Sequence, residues 1–199
     1  MVKVKICGLS RECDIQFVNE VKPDYIGFVF ADSRRQITVE QAKILRQKLR
    51  PNIQAVGVFV NSPLEQVVKI VEAGIIDLVQ LHGQETSQYI RELKAKSPVP
   101  VIQAVRVCTK EDVTNAHNCE ADYLLFDNGN GGTGKRFDWN LIENIKKPFF
   151  LAGGLNCENV REAITTVNPF AVDTSSGVES SGYKDKNKIE EFVRRARND

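Results

Sequence analysis

The chain has 199 residues, a length that suits one α/β barrel better than two domains, because a single barrel uses it without splitting its core. Its 27 Lys and Arg stand against 26 Asp and Glu, a formal charge of +1 with no block of like charges, which argues against nucleic acid as a partner. No apolar run approaches the roughly 20 residues of a membrane helix, and the amino terminus lacks a signal-peptide hydrophobic region, so a soluble cytoplasmic protein with no membrane partner is expected.

The first stretch, VKVKICGLS at 2–10, alternates as a strand does: Lys3, Lys5 and Cys7 point one way, Val4 and Ile6 the other. Cys7 is therefore placed where strand gives way to loop, the rim at which parallel α/β proteins carry their chemistry. Further apolar runs follow at 25–30, 55–60, 78–83, 101–107, 123–128, 149–154 and 170–176, which makes eight strand candidates. Between them, stretches such as 39–49, 63–74 and 158–167 place aliphatics at i, i+3 and i+4 with charges between, and read as helices. Ser62 and Pro63 mark the start of one of these helices and Gly74 its end.

Strand then helix, repeated, implies parallel strands joined by right-handed crossovers. The expected architecture is a single (β/α)8 barrel spanning residues 1–199, with an open doubly wound sheet as the alternative.

The strand ends then bring a set of groups to one mouth: Cys7; Ser33, Arg34 and Arg35; His82 and Gly83; Asp127; Ala152-Gly153-Gly154; and Asp173-Thr174-Ser175-Ser176-Gly177. The last two loops suggest a phosphate, since small residues let backbone N–H groups approach an anion and this fold places its phosphate cradle after strands seven and eight. Gly153-Gly154 as a mere tight turn is the alternative. Lys5 points into the barrel, where Asp173 is a candidate ion-pair partner. Arg34 and Arg35 could equally be a solvated loop pair, His82 could only line the wall, and Asp127 could cap the glycine-rich loop.

That loop, NGNGGTGK at 128–135, matches GxGxxG and nearly matches a phosphate-binding P-loop. Arg136 stands where Ser or Thr must bind magnesium, and Phe137-Asp138-Trp139 intervenes before any helix, so a nucleotide site is discounted. A lid over the mouth and a plain surface loop are the two readings. The five cysteines, at 7, 13, 108, 119 and 157, form no CxxC pair, and only two histidines are present, so neither a disulfide framework nor a metal site is indicated.

KICGLS at 5–10, SRRQI at 33–37, GVFVN at 57–61, QLHG at 80–83, LLFD at 124–127, GGTGKRFDW at 131–139, AGGLNCENV at 152–160 and FAVDTSSGVE at 170–179 together resemble the phosphoribosylanthranilate isomerase family of tryptophan biosynthesis. The resemblance runs from the first strand to the last helix. It implies an Amadori rearrangement without cofactor or metal, acting on a small phosphorylated substrate. Cys7 would be the general base, Asp127 the general acid and Arg35 the group near the anthranilate moiety. His82, Gly153, Gly154, Asp173, Ser175, Ser176 and Gly177 would complete the substrate site. Monomer and homodimer both stay open.

One departure stands out: the family commonly has Pro-Gly after Gly-Val-Glu, where this chain has Ser181-Gly182-Tyr183 before Lys184-Asp185. The rivals are the histidine-pathway isomerase, expected to carry aspartate where Cys7 stands, and a non-catalytic barrel that binds a phosphorylated metabolite.

Overall fold

The eight alternating runs form eight strands: β1 (Lys3–Cys7), β2 (Tyr25–Val29), β3 (Gln54–Phe59), β4 (Leu78–Leu81), β5 (Val101–Arg106), β6 (Tyr123–Asp127), β7 (Phe149–Leu151) and β8 (Ala171–Thr174). In this computed structural model, which describes residues 1–128, 137–143 and 145–197, they pair in parallel and in sequence order, and β1 meets β8 to close the barrel. The helices α1 (Glu12–Val21), α2 (Val39–Lys48), α3 (Leu64–Glu72), α4 (Ser87–Lys96), α5 (Lys110–Ala116), α6 (Val160–Val167) and α7 (Lys186–Arg197) surround it.

Local chemistry explains the helix starts. Thr38, Thr86 and Thr109 accept from the backbone N–H of Gln41, Tyr89 and Asp112, each such cap being worth about 1 kcal/mol. At α3 the cap residue is Pro63, which makes no side-chain bond, while the Ser62 carbonyl accepts the Tyr89 hydroxyl.

Alternation sends one face of each strand outward to the helices and the other inward. Val4, Ile6, Phe28, Phe59, Val79 and Leu124 join the helix-facing core; Tyr25, Val56, Leu78, Ile102, Leu125, Phe150 and Ala171 fill the barrel. The floor at the amino-terminal end is aromatic. Phe150 packs edge-on against Tyr25 and Tyr123 at centroid distances of 5.4 and 5.7 Å, and Phe170 closes the cluster. Burial pushes the Tyr25 hydroxyl up to about 12.

The same end carries a repeated device. Asp24, Asp77 and Asp122, each just before an even-numbered strand, accept the backbone N–H of Val4, Ala55 and Val101 on the strand before it, at 2.9, 2.7 and 2.9 Å. Arg197, Arg46 and Lys94 pair with these three carboxylates in turn. N–H groups at the foot of β1, β3 and β5 are thereby satisfied and the seams pinned in register.

After β6 the structure departs from the expected repeat. Among the described residues a 3-10 turn, Trp139–Leu141, stands where a helix was expected. Asp138 accepts from both the backbone N–H and the side-chain amide of Asn140, which favours a tight local turn, and Pro148 lies only a few residues on. The lid expected at 128–135 lies, from Gly129 onward, outside the described residues.

Candidate active site

At the carboxyl ends of the strands the barrel opens into a cavity of about 320 Å³. Cys7, Arg35, His82, Asp127, Gly153, Gly154, Asp173, Ser175 and Ser176 all line it, joined by Gln80 and by the aliphatic walls Val29 and Val58. Of the residues placed at the mouth from the sequence, Arg34, Gly83 and Gly177 are not among those lining it, and Gly177 is the one of these assigned to the substrate site. It lies within the turn Ser176–Val178, where a Cβ would fall 2.0 Å from the Leu155 carbonyl oxygen, so its lack of a side chain serves packing behind the loop.

Cys7 ends β1 opposite Gly27 of β2, and a Cβ at residue 27 would lie 2.6 Å from its Sγ; glycine there makes room for the thiol. Two residues below, Lys5 is fully buried and its Nζ meets Asp173 Oδ2 at 2.9 Å across the closing seam. Burial works to lower the Lys5 pKa, but the Asp173 carboxylate and the neighbouring Cys7 outweigh it, and the ammonium is held above its ordinary value. For Cys7 the balance falls the other way: burial pushes the thiol up, and the nearby Lys5 and Lys184 offset this only in part. Cationic neighbours are thus present, but burial outweighs them and favours the thiol over the thiolate.

Asp127 ends β6 across the mouth, buried, with Oδ1 accepting the Asn128 N–H at 2.7 Å. Its Oδ2 faces His82 Nε2 at 3.4 Å. His82 Nδ1 lies 3.0 Å from the Gln80 side-chain amide, two residues back on the same strand face. Among the described residues, Gln80 Oε1 and Asp173 Oδ1 are buried with no hydrogen-bond partner, which is costly unless a bound molecule completes them.

Gly153 and Gly154 both adopt left-handed backbone, φ +83° and +71°, so the loop after β7 curls back toward the mouth. Its partner after β8 is braced: Ser175 Oγ donates to the Cys7 carbonyl at 2.9 Å, and Thr174 Oγ1 to the Leu155 carbonyl at 2.7 Å. Arg35 is not solvated, its side chain being 14% exposed, while Arg34 is 55% exposed. Both converge on Glu179, Arg35 in bidentate fashion at 2.7 and 3.0 Å, and Lys184 reaches the same carboxylate at 2.6 Å.

Glu179 and Lys184, which the sequence alone did not place beside the site, are brought there by the fold. They face each other across a hairpin, β9 (Glu179–Ser180) and β10 (Tyr183–Lys184), joined by Ser181-Gly182. A Ser-Gly turn dipeptide flanked by Glu and Lys was the available signal. Among the described residues no group of three or more His, Cys, Asp or Glu could hold a metal ion.

A closed parallel barrel with a thiol and a carboxylate on opposite strand ends, and two small-residue loops between them, defines the class: a barrel enzyme built for acid–base work on an anionic small molecule. The family model described as N-(5'phosphoribosyl)anthranilate (PRA) isomerase matches residues 4–195. The N-(5'-phosphoribosyl)anthranilate isomerase of Endomicrobium trichonymphae is 50% identical over 198 residues, covering 98% of each chain, and that of Thermoanaerobacter sp. (strain X514) is 49% identical, covering 99% and 98%.

Among solved structures, a phosphoribosylanthranilate isomerase from Thermotoga maritima superposes with a TM-score of 0.89 at 39% identity over the whole of both chains. A second, solved in complex with reduced 1-(o-carboxyphenylamino)-1-deoxyribulose 5-phosphate, gives 0.87 at 37% over the same coverage. The chain belongs to the N-(5'-phosphoribosyl)anthranilate isomerase family, and with it to tryptophan biosynthesis.

Proposed function

We propose that this chain, acting as one catalytic domain, converts N-(5-phosphoribosyl)anthranilate into 1-(2-carboxyphenylamino)-1-deoxyribulose 5-phosphate with Cys7 as general base and Asp127 as general acid. The observation that carries the assignment is that these two side chains, from β1 and β6, line one cavity together with both glycine- and serine-bearing loops. Asp127 gives its proton to the ribose ring oxygen as the C1′–O bond breaks, leaving a cationic iminium. That charge acidifies the C2′ hydrogen, and Cys7 takes the proton to give the enolamine, which tautomerises to the ketone. Cys7 meets this step from an unfavourable resting state, since its thiol is held up by burial. The base is the thiolate, so the Cys7 S–H proton must first leave to solvent, and the iminium charge beside the sulfur favours that ionisation once the ring has opened.

In this reading Gly153, Gly154, Ser175 and Ser176 hold the phosphate, Arg35 faces the anthranilate end, and His82 and Asp173 line the sugar. The site needs no cofactor. Among the described residues no helix is long and apolar enough to cross a membrane. A cytoplasmic monomer or homodimer without nucleic-acid partners fits the charge balance. The Thermotoga maritima relative is dimeric, and the matching structure is of monomers generated from it.

The test is the fluorescence decay of phosphoribosylanthranilate catalysed by wild type, Cys7→Ser and Asp127→Asn. Each variant is expected to fold and to lose about 10³-fold or more in kcat, as removal of a general acid or base requires. Near-normal turnover in either variant refutes the role given to that residue.

A further inference from the structure

The reaction as proposed uses Cys7 and Asp127 and leaves unexplained why three cations crowd one buried carboxylate beside the cavity. Glu179 has a side chain only 5% exposed, and it takes Arg35 on both oxygens, Arg34 on Oε2 and Lys184 on Oε1. Burial works to raise this carboxyl, but the hydrogen bonds from Arg35 and Lys184 hold it below its ordinary value, so it stays ionised. Lys184, 1% exposed, spends its remaining donors on the Ser175 carbonyl at 2.9 Å and the Ser175 hydroxyl at 3.2 Å. That hydroxyl bonds the Cys7 carbonyl. On the other side the Arg35 side chain lies across Gly8, where a Cβ would come within 2.4 Å of its Cδ. An unbroken run of contacts therefore joins Arg35, Glu179, Lys184, Ser175 and the end of β1.

We propose that Glu179 is a positioning residue for substrate binding: it fixes Arg35 and Lys184 relative to each other, and so sets the spacing between the arginine and the phosphate-side loop after β8. The proposal rests on the reading of Arg35 and Ser175 given above. A substrate anionic at both ends, a carboxylate on the ring and a phosphate on the sugar, meets two sites held at one separation by a single carboxylate. A bidentate guanidinium–carboxylate pair is suited to this, because two parallel bonds fix direction as well as distance. The cluster of three cations and one carboxylate keeps a net positive charge, which favours the anion without leaving the cations free to swing.

The competing reading is that Glu179 merely neutralises surplus charge. The two differ in sign. If Glu179 only neutralises, Glu179→Gln frees positive charge and inorganic phosphate binds more tightly. If it positions, the same isosteric change loosens the loop and phosphate binds at least fivefold more weakly by titration calorimetry.

With phosphoribosylanthranilate as substrate, Glu179→Gln is expected to raise KM at least tenfold while kcat falls less than threefold. Combined with Arg35→Ala, it should add much less than its separate effect, because part of that effect runs through Arg35. Tighter or unchanged phosphate binding, an unchanged KM, or full additivity with Arg35→Ala overturns the proposal. Circular dichroism checks folding, and Glu179→Asp, too short to reach all its partners, must show the same KM-weighted loss should the Gln variant not fold. The phosphate titration needs no turnover. A wild type that binds phosphate, and loses it on Glu179→Gln, but turns nothing over would sink the catalytic reading and leave this one standing.

Discussion

At the amino-terminal end of the strands the barrel is closed by Tyr25, Tyr123, Phe150 and Phe170, and carboxylates from Asp24, Asp77 and Asp122 hold the strand feet. At the carboxyl end the inward positions of the strands carry Cys7, His82 and Asp127, and among the described residues Gln80 and Asp173 keep buried oxygens without partners. The first end ties strand-foot N–H groups to carboxylates and fills its space with rings. The second leaves space and hydrogen-bonding capacity unspent, a local cost tolerable only because the floor and the seams bear the stability. Altering the floor should therefore cost folding free energy and spare chemistry, whereas altering the mouth should do the reverse.

The largest effect expected at the floor is Phe150→Ala. Phe150 is fully buried and touches three other rings, so truncation should cost about 4 kcal/mol in denaturant unfolding. kcat per folded molecule should stay within about twofold; a drop parallel to that of Cys7→Ser would erase the distinction between the two ends.

Lys5 lies between the ends and tests the boundary. Lys5→Met leaves Asp173 buried without its cation, and breaking such a pair costs roughly 3 kcal/mol near neutral pH. The dependence on pH has a definite sign. Burial raises the Asp173 carboxyl in the folded state, so without Lys5 the folded protein binds a proton that the unfolded chain gives up near its ordinary value of about 3.9. The variant's deficit should shrink as the pH falls and grow as it climbs through the folded-state value. Urea melts of both proteins from acid to neutral pH measure it, and a deficit independent of pH would show that Asp173 does not carry the strain.

Much of this arrangement could be read from residue order because it depends on period-two alternation. Lys5 and Cys7 share a face, as do Gln80 and His82, so inward placement follows from counting. What could not be read depends on magnitude or on distant partners. A thiolate at Cys7 needs a cationic neighbour; such neighbours are present, yet burial outweighs them, and only coordinates weigh the two. Gly177 looks like part of a phosphate loop, but the Leu155 carbonyl that demands a glycine there lies 22 positions back in the chain. Arg35 gives no sign in sequence of its bond to Glu179, 144 residues on.

A smaller effect is expected at the strand feet. Asp77→Ala removes the acceptor of the Ala55 N–H and the partner of Arg46, and should cost about 1–3 kcal/mol, the range for a hydrogen bond to a charged group, with kinetics unchanged. If Asp77→Ala alters KM, the two ends are coupled through β3 and β4, and the division drawn between them is too sharp.

The smallest effect sharpens the comparison from the mouth side. This chain turns its β9–β10 hairpin on Ser181 and Gly182, with φ +51° and +84°. Positive φ at both central residues is the requirement of a type I′ hairpin turn, and a proline, locked near −65°, cannot occupy the first position. Serine pays for that backbone; asparagine adopts it more readily, so Ser181→Asn should stabilise the protein by a few tenths of a kcal/mol to about 1 kcal/mol in thermal unfolding. The hairpin presents Glu179 and Lys184 to each other, and a better-formed turn leaves the pair less to organise when substrate arrives. KM should therefore fall slightly or hold, and a rise in KM with improved stability would mean that binding requires this hairpin to yield.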